Sequence, residues 1–247
     1  MIIKFLIKIL ILKRLIPSLF KKYVLITKNF WKQKKIDEIN YILDVRYLID
    51  RNFYLRENYE DELFAFAKNK IIKDEINYFL DVGSCWGIYS LRLSKIKLLK
   101  IIAFDPILKN INRLRNMIKI NNIKNIKVFH TALGNKLGKI KFYGLEEFTP
   151  NYSIYDKKNK FQYLAKINRL DNLLKIKNQI IYIKIDVEGH EYFSLIGAKQ
   201  LIKNNRVNIQ CEIINNKQKT INFLKRNKFK LLFHLKNSDD YIFSNYK

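Results

Sequence analysis

The chain has 247 residues, of which 48% are hydrophobic, and this predicts a folded domain and excludes a largely disordered protein. Its net charge of +26 favours an anionic partner such as nucleic acid, anionic lipid or an acidic glycan, but the lysines are spread evenly, which equally indicates compositional bias. The two cysteines, Cys85 and Cys211, exclude a disulfide scaffold, are typical of a reducing cytoplasm and show no metal-site spacing, so no metal site is predicted.

Residues 1–35 are predicted to form a basic, apolar extension that precedes one domain over residues 36–247. Lysines such as Lys4 and Lys8 interrupt the apolar residues too often for a membrane-spanning helix or for the core of a signal peptide. We interpret the extension as a helix that ends near Pro17 and lies on an anionic membrane surface. A helix packed on the domain is the alternative.

A lead-in over residues 36–75 comes before the first strand of the main fold. Alternation of side chains over residues 41–54 predicts a short hairpin. Residues 59–67 predict a helix, because acidic residues occupy its first turn, where the helix dipole favours them.

The central motif is F-L-D-V-G-S-C-W-G, residues 79–87. An apolar strand ends at Asp81, Gly83 and Gly87 follow, and apolar residues at helical spacing begin at Ile88. Glycine tolerates a positive φ and leaves space for a ligand. Because the motif lacks the third glycine of the dinucleotide fingerprint and the Gly-Lys-Ser/Thr of a P-loop, it favours a nucleoside without a pyrophosphate, such as S-adenosylmethionine. An ordinary strand-to-helix turn is the alternative.

The next strand, residues 100–105, ends in Asp105. An acid at the end of the second parallel strand is placed to accept hydrogen bonds from both ribose hydroxyls of a nucleoside. Pro106 is expected to start the following helix, where its missing N–H costs little. A third strand is predicted over residues 126–131, and the turn of residues 131–134 follows it.

The second half of the chain continues the alternation of strands and helices. An inserted antiparallel pair is predicted, and the polar loop inside it, residues 144–160 with Thr149, Asn151, Tyr152 and Ser153, is expected to line the site. A fourth strand ends at Asp186, and Glu212 lies near the end of a fifth. The predicted ranges are the pair 138–143 and 161–167, the strands 180–186 and 207–213, the helix 217–227 and a terminal hairpin of 230–235 and 241–244.

This alternation predicts an α/β fold with an open, mainly parallel sheet and right-handed crossovers. Ligands of such sheets bind beyond the carboxyl ends of the strands, where Asp81, Asp105 and Asp186 all fall. Any one of these acids could cap a helix, which is the commonest reason for aspartate at that position. Three of them beside a glycine turn favour a binding site.

Several blocks together resemble the FkbM-type, S-adenosylmethionine-dependent methyltransferases. The most specific block is I-K-I-D-V-E-G-H-E, residues 183–191, and the resemblance covers about residues 45–245. The sequence differs from the family's usual pattern at Ser84-Cys85, where Ala-Asn is frequent, and at Asp105, where glutamate is more usual. The other blocks are residues 79–87, 103–106 (A-F-D-P), 131–134 (T-A-L-G) and 169–173 (R-L-D-N-L).

The resemblance implies a Rossmann-like class I methyltransferase fold, a mostly parallel twisted sheet with helices on both faces and an antiparallel C-terminal hairpin. It also implies S-adenosylmethionine as cofactor. The glycine turn would approach its methionine part, Asp81 its amino group or ordered water, Asp105 its ribose and Ala132 its adenine. The cofactor-binding residues implied are Tyr59, Glu60, Asp81, Gly83, Ser84, Gly87, Asp105, Ala132 and Asp186.

For catalysis, the resemblance implies methyl transfer to a hydroxyl group, for which a positioned base helps. His190 is the candidate base because its pKa suits that role. Asp186 and Glu188 would orient the acceptor or His190, and a metal ion held by them is the less favoured alternative.

Three functions follow as expectations. The first is O-methylation of a glycan or small hydroxylated metabolite by a cytoplasmic enzyme, with peripheral contact to the inner face of the membrane through residues 1–35. The second is an RNA methyltransferase, which only the charge suggests, since no RNA-binding module or Asn-Pro-Pro-Tyr-like motif appears. The third is a non-catalytic membrane adaptor, against which the retained Asp81, Asp105 and Asp186 argue. Because only the charge suggests RNA, nucleic acid is not expected as a partner.

Overall fold

A computed structural model describes residues 12–144, 153–155, 158 and 161–246. The strands are β1 (Trp31–Ile36), β2 (Ile39–Asp44), β3 (Tyr78–Val82), β4 (Lys100–Asp105), β5 (Ile126–His130), β6 (Ala132–Leu133), β7 (Gly138–Gly144), β8 (Phe161–Asn168), β9 (Ile180–Ile185), β10 (Arg206–Glu212), β11 (Lys230–His234) and β12 (Asp240–Ser244). The helices are α1 (Leu12–Thr27), α2 (Leu48–Arg56), α3 (Asp61–Lys73), α4 (Ile88–Leu93), α5 (Leu108–Ile120), α6 (Leu170–Leu173), α7 (Glu191–Gly197), α8 (Lys199–Lys203) and α9 (Lys217–Arg226).

A seven-stranded sheet with the order β11-β12-β10-β9-β3-β4-β5 organises the fold. The strands β10, β9, β3, β4 and β5 run parallel, and β12 is antiparallel to both β10 and β11. This arrangement confirms the predicted class I methyltransferase fold with its antiparallel C-terminal hairpin. The inserted pair is also confirmed, since β7 and β8 are antiparallel and form a separate sheet with β6.

The sheet is covered by helices on both faces, because the side chains of its central strands alternate between two apolar layers. Leu80 of β3 packs in one core cluster with Leu195 of α7 and Leu224 of α9. Its neighbour Phe79 packs in another, with Leu93 of α4. Burial on both faces explains why these strands read as continuous apolar runs in the sequence.

The lead-in differs from the sequence prediction. The hairpin consists of β1 and β2, whose two-residue turn has both φ angles positive, at Asp37 (48°) and Glu38 (62°). The prediction of a hairpin over residues 41–54 was therefore wrong beyond β2, since α2 follows it. Asp50 of α2 accepts a hydrogen bond from the Asp44 backbone N–H at 2.7 Å, which fixes the helix against β2. The predicted extension–domain boundary, after residue 35, falls inside β1 and stays a prediction.

Two helix boundaries also differ from prediction. Pro17 lies inside α1 and does not end it, so the helix continues without the one backbone hydrogen bond that Pro17 cannot donate. Helix α5 starts at Leu108, two residues after Pro106, because the Asp105 carboxylate accepts the Ile107 N–H and forms a turn there.

No helix in the described part of the chain is long and apolar enough to cross a membrane.

Some predictions concern residues outside the described part of the chain. Lys4 and Lys8 of the proposed membrane segment belong to this group, as do Thr149, Asn151 and Tyr152 of the predicted site loop. Within that loop, Ser153 is described, and its hydroxyl donates a hydrogen bond to the Glu188 carbonyl oxygen at 3.1 Å.

Candidate active site

A cavity of about 270 Å³ opens at the carboxyl ends of β3, β4, β9 and β10. This is the edge of the sheet at which parallel α/β folds bind ligands. The structure brings eight of the predicted site residues into its lining, namely Tyr59, Glu60, Gly83, Asp105, Ala132, Asp186, Glu188 and His190.

A smaller cavity of about 40 Å³ shares Tyr59, Gly83 and Asp186 with the first. Asp81 and Ser84 line it, so these two predicted residues contribute to the smaller cavity and not to the main one. Gly87 lines neither cavity. It precedes α4 with φ 85°, and a Cβ there would lie 2.5 Å from Leu114 Cδ1, so the structure gives Gly87 the role of close packing between α4 and α5.

The turn after β3 is held against the turn after β9. Gly83 has φ 80°, and a Cβ on it would lie 1.7 Å from the Asp186 carbonyl oxygen. The Asp186 N–H donates to the Val82 carbonyl oxygen at 3.0 Å, and the Gly83 N–H donates to that of Phe104 at 2.9 Å. Glycine is therefore required here for close approach of two backbone segments as well as for the conformation of the turn.

Asp105 connects the glycine turn to β4. Its Oδ2 accepts the Cys85 N–H at 2.9 Å, and its Oδ1 accepts the Ile107 N–H at 2.8 Å and the Asn110 side-chain amide at 3.1 Å. Burial raises the pKa of Asp105 to about 7, against the opposing effect of these donors. Because a carboxylate oxygen can accept two hydrogen bonds, Oδ2 retains capacity for a ligand hydroxyl.

Lys184 was not among the residues predicted for the site. Its buried Nζ lies 2.8 Å from Asp186 Oδ2, and it lines the smaller cavity together with Asp81. Burial acts to lower the pKa of Lys184, but the charges of Asp186 and Glu60 raise it well above its ordinary value. The signal in the sequence was a single lysine inside the apolar strand 180–185, two residues before an acid.

Glu188 and Glu212 also line the main cavity. Burial raises the pKa of Glu188, and the Asp186 charge acts in the same direction. Burial also raises the pKa of Glu212 to about 8, and the charges of Asp186 and Asp240 add to this effect. Sequence reasoning noted Glu212 at a strand end without assigning it to the site.

His190 also lines the main cavity and lies immediately before α7. Burial lowers its pKa to about 4, and nearby Lys136 acts in the same direction, so the imidazole is neutral at pH 7. Its buried Nε2 has no hydrogen-bond partner among the described residues, and its Nδ1 lies 3.5 Å from the Tyr155 hydroxyl. This Nε2 lies against Gly134, on which a Cβ would be 2.9 Å from it. A neutral imidazole can accept a proton or a hydrogen bond, but the lowered pKa makes His190 a weaker base than the sequence predicted. Within the described ranges, no group of three His, Cys, Asp or Glu side chains could hold a metal ion.

The family model described as "Methyltransferase FkbM domain" matches residues 81–231, more than half of the chain. The chain belongs to the FkbM methyltransferase family. It is therefore an S-adenosylmethionine-dependent methyltransferase, as the motif over residues 183–191 indicated. No curated protein matches the chain.

Several solved structures are similar to this FkbM methyltransferase at low identity. A putative rRNA methylase from Clostridium thermocellum is 9% identical over 76% of this chain and 96% of that chain, with a TM-score of 0.47. A putative methyltransferase from Streptococcus mutans in complex with SAH is 12% identical over 73% and 94%, with a TM-score of 0.45. A Pyrococcus abyssi tRNA (uracil-54, C5)-methyltransferase is 11% identical over 87% and 43%, with a TM-score of 0.47. These values are too low for the acceptors of those proteins to be assigned to this one.

The residues present fit S-adenosylmethionine, which carries a sulfonium and an ammonium group. Although the chain has a net charge of +26, the described residues that line the main cavity include five carboxyl side chains and no lysine or arginine. A cavity lined in this way favours a cationic ligand. The five are Glu60, Asp105, Asp186, Glu188 and Glu212.

Replacing Asp105 by asparagine should weaken S-adenosylmethionine binding at least about tenfold and remove much of its pH dependence. Because the pKa of Asp105 is raised from 3.8 to about 7 on folding, its protonated form stabilises the folded protein. This stabilisation is fully present below pH 3.8 and is lost as pH rises through about 7. Cofactor affinity should follow the opposite course, because ribose hydroxyls donate to the ionised carboxylate. Calorimetric titration should show wild-type affinity rising up to about tenfold between pH 6 and pH 8.

Asp171→Asn is the matched control for this titration. Asp171 is also buried and accepts the backbone N–H groups of Gln200 and Leu201, but it lies outside the cavity. Its variant should lose stability and keep its cofactor affinity. An equal pH dependence in the wild type and in Asp105→Asn would assign the effect to the amino group of the cofactor and would contradict the role given to Asp105.

Proposed function

We propose that this methyltransferase methylates a hydroxyl group on a glycan or small metabolite. The observation that supports the proposal is that His190, which is neutral at pH 7, lines the main cavity together with Asp186, Glu188 and Glu212. Hydroxyl groups donate hydrogen bonds to carboxylates, whereas an anionic acceptor would be repelled by them. A hydroxyl is also a weak nucleophile, and a group that takes its proton accelerates the transfer.

The mechanism assigns separate tasks to these side chains. S-adenosylmethionine, when bound, supplies a methyl group activated by a sulfonium. The side-chain carboxyl groups of Glu188 and Glu212, the latter mostly protonated at pH 7, would hold the acceptor by its hydroxyl groups and orient one oxygen for transfer. The imidazole of His190 would take the proton of the reacting hydroxyl. Asp186, which lines the same cavity, would help to orient the acceptor.

Substitution of His190 by alanine tests this proposal. We expect turnover to fall by about 10²- to 10⁴-fold, with little change in the dissociation constant for S-adenosylmethionine. The measurement is transfer of a labelled methyl group to a panel of hydroxylated sugars and metabolites, alongside calorimetric titration with the cofactor. His234→Ala, at an exposed position in β11, is the control and should retain full turnover. Unchanged turnover in His190→Ala would remove this residue from the chemistry.

RNA is the second candidate acceptor, and the net charge of +26 is the observation that favours it. Against it stands the acidic lining of the cavity, which disfavours a phosphate backbone close to the methyl group. Methyl transfer to RNA, with binding that weakens steeply as salt increases, would establish this alternative. A folded chain that fails to bind S-adenosylmethionine would instead favour the third expectation, a non-catalytic membrane adaptor.

Peripheral membrane contact of a cytoplasmic enzyme through residues 1–35, at the inner face of the membrane, is a separate proposal. It depends on the surface of the N-terminal segment and not on the cavity. Residues 12–35 of this segment are within the described part of the chain, and they include α1 and most of β1.

A further inference from the structure

Helix α1 has one face that packs on the domain. Val24 is buried, and so is Pro17, which lies two turns before it on the same face. Phe20, between them, stacks on Tyr54 of α2 with ring centroids 5.6 Å apart and planes 15° from parallel. These contacts fix the orientation of α1 about its axis, so the residues on its opposite face point to solvent.

That opposite face is also apolar. We call it the outer stripe of α1 and define it as Leu15, Leu19, Tyr23 and Ile26, which are spaced at four, four and three residues and therefore form a continuous row. Their side chains are 49%, 54%, 57% and 81% exposed, respectively. A helix that packs on a soluble domain with one face normally carries polar residues on the other. The outer stripe is thus an apolar surface that the described part of the chain leaves uncovered.

Positive charge accompanies the outer stripe. Lys21 and Lys22 are exposed on the same helix, and Lys28 is exposed directly after its end. A second copy of a chain with a net charge of +26 would bring like charges together at this surface, which opposes self-association. Anionic lipid satisfies both features, because acyl chains accept apolar side chains while lipid headgroups attract lysines.

We propose that the outer stripe of α1 seats the enzyme on an anionic membrane surface, with the helix lying parallel to the bilayer plane. Leu15, Leu19, Tyr23 and Ile26 enter the headgroup–acyl boundary, and Lys22 beside them contacts the headgroups. This inference rests on the proposed membrane contact of residues 1–35 and names the surface that makes it; it does not depend on the nature of the methyl acceptor. It concerns a helix that contributes no residue to the lining of the main cavity.

Vesicle co-sedimentation of the full-length chain tests the proposal. The probes are vesicles of phosphatidylcholine alone and vesicles of phosphatidylcholine mixed with phosphatidylglycerol, whose headgroup is anionic. The test variant is Leu19→Glu/Ile26→Glu. The control is Leu98→Glu/Leu137→Glu, which makes the same change in net charge at two other exposed apolar side chains, 95% and 63% exposed.

We expect the wild type and the control to bind the anionic vesicles about equally and the test variant to bind at least about tenfold more weakly. Equal weakening in both variants would show a general attraction of the charged chain to lipid and would overturn the proposal. An absence of wild-type binding to the anionic vesicles would overturn it as well. Wild-type dimers without lipid that Leu19→Glu/Ile26→Glu converts to monomers would assign the outer stripe to a second copy instead. Unchanged calorimetric binding of S-adenosylmethionine by the test variant confirms that it is folded.

Discussion

Replacing Gly83 by alanine should lower the free energy of unfolding by about 3 kcal/mol or more and reduce methyl transfer about a hundredfold. The new Cβ would lie 1.7 Å from the carbonyl oxygen of Asp186, and backbone atoms on both sides cannot move away independently. The turns after β3 and β9 must therefore separate. Because both turns line the main cavity, the acidic side chains around the cofactor site would be displaced together. Chemical denaturation and a methyl-transfer assay measure the two effects.

Gly138→Ala separates the close approach at Gly83 from backbone strain alone. Gly138 also has a positive φ, 135°, but a Cβ there would meet no atom within 4 Å. Its variant should lose only about 1–2 kcal/mol of stability, the cost of the strained backbone, and should keep its activity. Similar losses of stability and activity in both variants would show that strain, and not the contact with Asp186, determines the effect.

Replacing Lys184 by methionine should destabilise the protein by about 3–5 kcal/mol at pH 8, because it leaves the carboxylates of Asp81 and Asp186 without their buried counter-charge. Burial already raises the pKa of Asp81, and Lys184 is the neighbour that lowers it most. Without this cation the pKa of the Asp81 carboxyl would rise further. Its contribution to stability would then be present at low pH and lost as pH rises.

The difference in stability between Lys184→Met and the wild type should therefore be small near pH 5 and large near pH 8. Thermal unfolding followed across this pH range measures it. Lys139→Met is the control, because Lys139 is exposed on β7 and its replacement should change stability by less than about 0.5 kcal/mol at either pH. A loss of stability in Lys184→Met that does not vary with pH would mean that packing of the lysine stem, and not its charge, is what the fold requires.

The sequence by itself determined the order of the central elements. Apolar runs that end in Asp81, Asp105 and Asp186 predicted three parallel strands whose carboxyl ends meet, and the sheet confirms all three. Strand periodicity, the glycine turn and the motif over residues 183–191 are local signals, since each depends on neighbours within about ten residues of chain. Local signals of this kind were sufficient for the fold, the family and the cofactor.

The tertiary structure alone decided which side chains meet. Gly87 was predicted to approach the cofactor but packs against Leu114 of α5, a contact between residues 27 positions apart that no local pattern encodes. Lys184 and Glu212 became site residues only when β9 and β10 placed them beside Asp186, where burial and neighbouring charges change their pKa values. The lead-in is another example. Residues 48–54, which were predicted as part of a hairpin, belong to α2, where Asp50 accepts a hydrogen bond from the backbone of β2.

The outer stripe of α1 also shows what the sequence determined and what only the tertiary structure decided. The sequence predicted a basic, apolar N-terminal segment but could not say which of its apolar residues the domain would cover. Packing of Phe20 on Tyr54 decided that, and it left Leu19 and Ile26 facing outward. Hydrophobicity is a property of each residue and can be read from the chain, whereas exposure depends on contacts between distant segments, which only the folded structure sets.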